Sequence, residues 1–335
     1  MALSNCAAQR NGETATTNCL VLGDDLPLFK FGLLTDIQHA DKDTVSFEGR
    51  PQRYRESLGK LQAALQHLSD ILQKPQPQQD LIQPLSFLLT LGDVIDGYGD
   101  DDSASAAAKT SKDLKQVAGL ISSSLQDIPA RHVLGNHCLA APRSQLLEAL
   151  AMPGSYYSVQ LPAKWKLIVL DTTDMSLHSG YPQQESSQMQ QALQWLQAHP
   201  KEQHANAEAW NGGLSAAQMT WLQLELAEAA MADQRVIVAC HHPLAPGSAP
   251  EQYLAWNYEA VLQLLEQHAG TVRMVFSGHY HPGGYAQRAG IHFVVFEGIL
   301  EAPLDSNAYA VVEVWRNKAL IRAYGVGSSR ELLFE

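Results

Sequence analysis

The chain is poor in cysteine, in basic residues and in long apolar runs, and each shortage excludes something. Its four cysteines, Cys6, Cys19, Cys138 and Cys240, are scattered through 335 residues with no Cys-x-x-Cys pair. That excludes a disulfide framework and predicts a reducing compartment. Lys and Arg number 23 against 35 Asp and Glu, giving a net charge of −12. A protein that coats nucleic acid or an anionic membrane needs clustered cations, so neither is an expected partner. A phosphate-bearing small molecule remains open, because a bound metal brings positive charge that composition does not count. No apolar run reaches the ~18 residues of a membrane span. The first ~25 residues are small and polar and lack the apolar core of a secretory signal. They predict a flexible tail over residues 1–28, in preference to an organelle-targeting peptide, on a cytoplasmic protein.

Apolar residues, at 45%, are plentiful enough for a sizeable core. Short apolar runs predict strands buried on both faces. They cover Lys30–Asp36, Ser86–Asp93, Arg131–His137, Lys166–Asp171 and Arg235–His242, then Arg273–His281, Ile291–Gly298, Ala308–Trp315 and Ala319–Tyr324. Leucines at helical intervals mark Arg53–Gln73, and amphipathic patterns mark Ser103–Leu125, Gln188–Ala198, Ser215–Ala232 and Trp256–His268. Ser215 and Gln218 have capping-box spacing. Alternating strands and helices indicate an α/β fold. The last strands follow one another without helices, which predicts a second sheet or antiparallel strands added to the first. No composition break divides the chain, so residues 29–335 are expected to form one domain.

Polar residues cluster at the ends of these runs. Asp36, Asp93, Asn136 with His137, His241, and His279 with His281 all stand at or just beyond an apolar segment. Ligands of open α/β sheets bind outside the carboxyl ends of strands. Ionisable groups are costly near a core unless paired or bound to metal. Carboxylate, imidazole and amide donors without cysteine suit hard or borderline ions. Strand alternation would put His279 and His281 on one side, and likewise Asp36 and Gln38, with His39 turned away.

The order Asp-x-Gln, Gly-Asp-x-x-Asp, Gly-Asn-His, His-x-Pro, Gly-His-x-His resembles that of the calcineurin-like metallophosphoesterases. The resemblance implies a four-layer α/β/β/α sandwich, two sheets flanked by helices, with two divalent metals at one sheet edge. Carried over, Asp36, Gln38 and His281 bind the first metal, Asn136, His241 and His279 the second, and Asp93 bridges them. His137 acts beside the phosphate as the catalytic histidine without binding metal, and Asp96 stands behind.

Blocks outside these motifs, "RYRESL", "WNGGLSAAQMTWL", "LAWNY", "GHYHPGGY" and "FEGILEAPLDSNAYA", are similar to the manganese-dependent ADP-ribose/CDP-alcohol diphosphatases. This narrower resemblance implies Mn²⁺ as the activating ion, with Fe²⁺, Zn²⁺ or Mg²⁺ as substitutes. It implies hydrolysis of a pyrophosphate bond by a hydroxide held between the metals: ADP-ribose to AMP and ribose 5-phosphate, or CDP-choline-type molecules to CMP and a phospho-alcohol. Arg53, Tyr253, Trp256, Asn257 and Tyr285 are the expected substrate contacts. Two departures mark the chain: Cys138 follows Gly-Asn-His, where many relatives have Glu, and Tyr253 stands before "LAWNY", which leaves the choice between adenine and cytosine open. The alternatives are a cyclic-nucleotide phosphodiesterase or phosphomonoesterase of the same fold, or a scaffold without catalysis. A monomer is expected.

Overall fold

Apolar residues at every position of a strand require cover on both faces, and β1 (Phe29–Leu34) is buried at all six. A computed structural model describes residues 26–73, 85–98, 104–125, 128–178 and 187–334. Most of the expected tail, Cys6 and Cys19, the Pro/Gln-rich stretch 74–84 and residues 179–186 lie outside the described residues.

β1 lies inside a six-stranded sheet, between parallel β4 (Leu85–Thr90) and antiparallel β14 (Ala308–Val314). β5 (Ala130–His132) continues one side, and β15 (Lys318–Gly325) and β16 (Arg330–Leu333) the other. The second sheet runs in parallel through β7 (Trp165–Val169), β10 (Arg235–Ala239), β11 (Val272–Ser277) and β13 (Ile291–Val295). Antiparallel β6 (Tyr157–Leu161) and β12 (Gly284–Arg288) form its edges. The helix-free C-terminal strands thus do both things the sequence allowed: β12 and β13 extend one sheet, and β14 to β16 the other. Two small hairpins are added, β2 (Val45–Phe47) with β3 (Arg50–Gln52), and β8 (Met175–Ser176) with β9 (Gly212–Gly213).

The sheets pack face to face. Phe31 stacks on Phe87 at 4.5 Å and meets Phe276 at 6.2 Å, and Phe29 meets Trp165 edge-on at 6.0 Å. Fully burying such a side chain contributes about 1.5–3 kcal/mol. Alternation along β10 divides the work: Ile237 and Ala239 join the inter-sheet core, while Val236 and Val238 join an outer cluster. That cluster holds Leu222 and Leu226 of α5 (Ala216–Met231) and Val261 and Leu265 of α6 (Tyr258–Gln267). On the far side, α1 (Ser57–Gln73) lays Leu61, Leu65 and Leu68 on the first sheet. Gly32 permits this, since a Cβ there would meet Leu68 at 3.1 Å. α2 (Ala104–Ser124) contributes Leu114, Val117 and Ile121. The result is the α/β/β/α sandwich, with α3 (Arg143–Ala149) and α4 (Ser187–Ala198) on connections.

Ser215 caps α5, accepting from the Gln218 backbone N–H at 3.3 Å. Gln218 does not complete a capping box. Its amide instead brackets the Asp171 backbone, accepting at 2.8 Å and donating at 2.9 Å.

One buried histidine sets an acid limit. His132 ends β5 with its ring against Thr90 Oγ1 at 2.8 Å. Burial, aided by the Arg131 charge, pushes its pKa from 6.5 down to about 4. The unfolded chain therefore binds the extra proton first, and stability falls as pH drops from the unfolded value towards the folded one. The full effect is about 3 kcal/mol. His132→Gln is expected to shrink the fall in Tm between about pH 7 and about pH 5. Thermal melts showing the same fall in both chains would contradict this origin.

Candidate active site

The strands stop short of the residues that matter. β1 ends at Leu34, β4 at Thr90 and β11 at Ser277. Beyond them Asp36, Gln38, Asp93 and His279 have φ of 50°, 43°, 48° and 68°. This is the left-handed region, rare for residues with a Cβ, and such residues gather at functional sites. Left-handed turns, not strand alternation, aim these side chains. Gln38 lines the cleft, whereas His39 turns away to the Tyr54 carbonyl at 3.2 Å. His279 and His281 likewise sit on a loop after β11, not on an extended segment. The expected strand Arg131–His137 also stops early, at His132, and His137 opens a 3-10 turn ending at Ala140.

Glycines let these loops close up. A Cβ on Gly135 would lie 2.1 Å from Asp93 Oδ1, and one on Gly278 would lie 2.5 Å from Asp36 Oδ2. Real Cβ atoms do not approach that closely, so both "GN" and "GH" need their glycine for packing.

The side chains converge at the carboxyl edge of the sheets. Asp93 Oδ2 lies 3.1 Å from both Gln38 Nε2 and His241 Nε2, and its Oδ1 accepts from the His137 backbone N–H at 2.9 Å. His241 Nε2 also lies 3.0 Å from Asn136 Oδ1. His281 Nε2 is 3.3 Å from Asp36 Oδ1, and the His279 backbone N–H donates to Asp36 Oδ2 at 3.1 Å. Asp36, Asp93 and His241 bring one donor atom each to within 4.8 Å of one another. Asp36 and Asp93 are fully buried, and their close partners are a hydroxyl, backbone N–H groups, an amide and imidazoles.

This arrangement fits metal ions on its own geometry. Each imidazole gives one nitrogen to an outer acceptor: His241 Nδ1 to the Leu91 carbonyl at 2.8 Å, His279 Nε2 to Asn211 Oδ1 at 3.0 Å, and His281 Nδ1 to Glu301 Oε1 at 2.9 Å. With that nitrogen protonated, the other nitrogen of each would give its lone pair to a bound metal, which is how protein shells orient metal-binding histidines. Around Asp36 and Glu301 the field favours positive charge. Burial opposes charging His281, yet the Asp36 and Glu301 carboxylates raise its pKa to about 10. Burial likewise works against the Asp93 carboxylate, but His241 and His137 hold it well below the usual range.

His137 lies at the rim with its Nδ1 2.7 Å from Asp96 Oδ1, and Lys42 Nζ contacts the other Asp96 oxygen. His242 is buried behind the site, its Nδ1 against Thr172 Oγ1 at 2.8 Å and its ring 4.3 Å from that of His279. Cys138 and Cys240 are buried free thiols with raised pKa.

Over these groups opens a cleft of about 240 Å³, walled by Phe47, Arg50 and Gln52 of the β2–β3 hairpin and by Trp210 and Tyr253. Tyr253 packs on Trp210 at 5.1 Å. The other expected substrate contacts are not in the cleft wall. Arg53 folds its guanidinium onto the carbonyls of Pro51, Glu301 and Ala302. Trp256 is buried, stacks on Trp195 at 5.2 Å and donates its indole N–H to the Glu208 carbonyl. Asn257 brackets the backbone of Leu214. Tyr285 pairs with His292 at 2.9 Å. Near a helix start or a glycine pair, an aromatic or amide side chain reads alike in sequence whether it faces a cleft or a core.

Sequence reasoning missed Phe47, Arg50, Trp210, Glu301 and Asn211. The hairpin strands are three residues each and carry no period to detect. Trp210 and Asn211 stood in plain view in "WNGG", and Glu301 in "FEGILEAP", but nothing local marks an outer-shell acceptor.

Comparison with known proteins places the chain among enzymes of one kind. The sequence profile of the calcineurin-like phosphoesterases matches residues 29–283. The manganese-dependent ADP-ribose/CDP-alcohol diphosphatase of Arabidopsis thaliana is 32% identical over 87% of this chain and 93% of its own. The protein of that name from Bos taurus is 31% identical over 89% and 92%. The crystal structure of a dimetal phosphatase from Danio rerio superposes with a TM-score of 0.79 at 24% identity, covering 92% of this chain and all of that one, and so shares the fold.

Proposed function

Because the chain belongs to the calcineurin-like phosphoesterase family, we propose that it hydrolyses the pyrophosphate bond of nucleoside diphosphate-X molecules with Mn²⁺. ADP-ribose would yield AMP and ribose 5-phosphate, and CDP-alcohols would yield CMP and a phospho-alcohol. It is a hydrolase of a manganese-dependent kind, as its relatives' names state. The observation that carries the reading is the convergence of two buried carboxylates, two amides and three oriented imidazoles beneath an aromatic cleft. All of these groups come from one chain, so the reading needs no second copy.

We assign Asp36, Gln38 and His281 to one metal, Asn136, His241 and His279 to the other, and Asp93 to both. When bound, the ions supply Lewis acidity to the phosphoryl oxygens and activate water at neutral pH. The chain's own groups do the rest. With its Nδ1 side turned to Asp96 at 2.7 Å, His137 leaves Nε2 for donating a proton to the leaving oxygen. Phe47, Trp210 and Tyr253 offer apolar faces on which a nucleobase can stack. Arg50 presents a guanidinium suited to phosphate. No helix among the described residues is long and apolar enough to cross a membrane. The two described cysteines are free, which supports a cytoplasmic setting.

The test is a panel of ADP-ribose, CDP-choline and a cyclic nucleotide, with and without Mn²⁺. Metal-dependent release of AMP or CMP without inorganic phosphate is expected. Inorganic phosphate as product would favour a phosphomonoesterase, turnover of the cyclic nucleotide alone a phosphodiesterase, and no turnover a scaffold.

A further inference from the structure

Resting on the metal assignment above, we infer that Glu301 is a positioning residue that couples the metal centre to the hairpin over the cleft. Its two carboxylate oxygens serve two masters. Oε1 accepts from His281 Nδ1 at 2.9 Å, and Oε2 accepts from Arg50 Nε at 2.7 Å. The Glu301 side chain is only 10% exposed, so water cannot readily replace either partner. Arg50 extends the chain of contacts: its Nη2 meets Glu48 Oε2 at 3.0 Å, and that oxygen accepts from Tyr253 Oη at 2.9 Å. The chain of ion pairs and hydrogen bonds therefore runs from His281 across the cleft mouth to Tyr253.

Backbone stitches make the connection stiff. The Gly298 N–H bonds the His281 carbonyl at 3.0 Å, and the Leu300 N–H bonds the Asp36 carbonyl at 3.0 Å. On the hairpin side, the Arg53 N–H bonds the Leu300 carbonyl at 3.2 Å. Segment 298–301 is thus anchored to two proposed ligands on one side and to the end of the hairpin on the other. A metal that fixes the His281 ring fixes Glu301, and a fixed Glu301 holds Arg50. By linkage, a held Arg50 favours the metal equally. A substrate phosphate that draws Arg50 away would pull on the same carboxylate. Substrate entry and metal retention are therefore one coupled equilibrium.

Three single variants and one double variant test this, read by Mn²⁺ binding (calorimetry, or electron paramagnetic resonance of free Mn²⁺) and by hydrogen exchange over residues 45–52. Glu301→Ala is expected to weaken Mn²⁺ binding by about 10–100-fold. Arg50→Gln touches no proposed ligand, yet is expected to weaken it by about fivefold or more. Glu301→Gln keeps an acceptor for His281 but sets a donor against Arg50, so adding Arg50→Gln to it is expected to change nothing further. Mn²⁺ should slow exchange in the hairpin of the wild-type chain and not in that of Glu301→Gln. The inference is overturned if Arg50→Gln binds Mn²⁺ as the wild type does, if the hairpin exchanges alike with and without Mn²⁺, or if Glu301→Ala keeps full affinity. No readout involves turnover, so failure of the diphosphatase reading and failure of this coupling appear in different experiments.

Discussion

Asp93→Asn is expected to lower Mn²⁺ affinity by more than about 100-fold, beyond what outer-shell changes cost, and to remove turnover with it. Asp93 is a heavily shared carboxylate. It is fully buried and shared by Gln38, His241 and the His137 backbone. If two divalent ions meet there, this residue supplies the negative charge between them. An amide keeps the shape and one acceptor but presents N–H groups where cations must sit. Asn also tolerates the left-handed backbone at φ 48°, so the fold should survive. Calorimetric titration with Mn²⁺ and a thermal melt separate the two effects. A folded variant with unchanged Mn²⁺ affinity would remove Asp93 from the centre.

His137→Ala is expected to do the opposite: leave Mn²⁺ affinity intact and lower kcat by about 10²–10⁴-fold. Its ring touches Asp96, not the donor cluster, and its backbone N–H, which holds Asp93, survives the change. Loss of a group used only in the transition state lowers kcat and kcat/KM together, with KM little moved. If the variant instead lost metal while turning over at the normal rate per metal, His137 would be structural. Set against Asp93→Asn, it separates holding the ions from moving the proton.

The donor residues could be found in sequence because each follows a strand, and strand runs are the strongest signal a sequence carries. Asp36 after "FGLLT" and His241 after "VIVAC" announce themselves by polarity at the end of an apolar stretch. The reason for their aim could not be read, because strand alternation fails where the backbone turns left-handed, as at Asp36 and His279. The hairpin was silent for another cause. Val45 and Phe47 are 49% and 46% exposed, so they follow no core pattern. Glu301 and Asn211 act through imidazoles far away in sequence, and one chain holds no trace of such a pairing. Trp256 drew attention as an aromatic beside a helix start, and the fold spends it on Trp195 instead.

The left-handed turns at Asp36, Gln38, Asp93 and His279 have a consequence for anyone breeding a hardier descendant of this protein. Each holds an L-residue in a conformation that costs about 1 kcal/mol. Glycine would relax all four and would erase a donor each time. A selection for heat tolerance alone that relaxed these turns would therefore yield inert chains. Selection that also demands catalysis can relax left-handed residues away from the centre, such as Ala151, Ala163, Lys164 and Asp233, or change Leu224 and Met231 of α5, which stand 60% and 82% exposed.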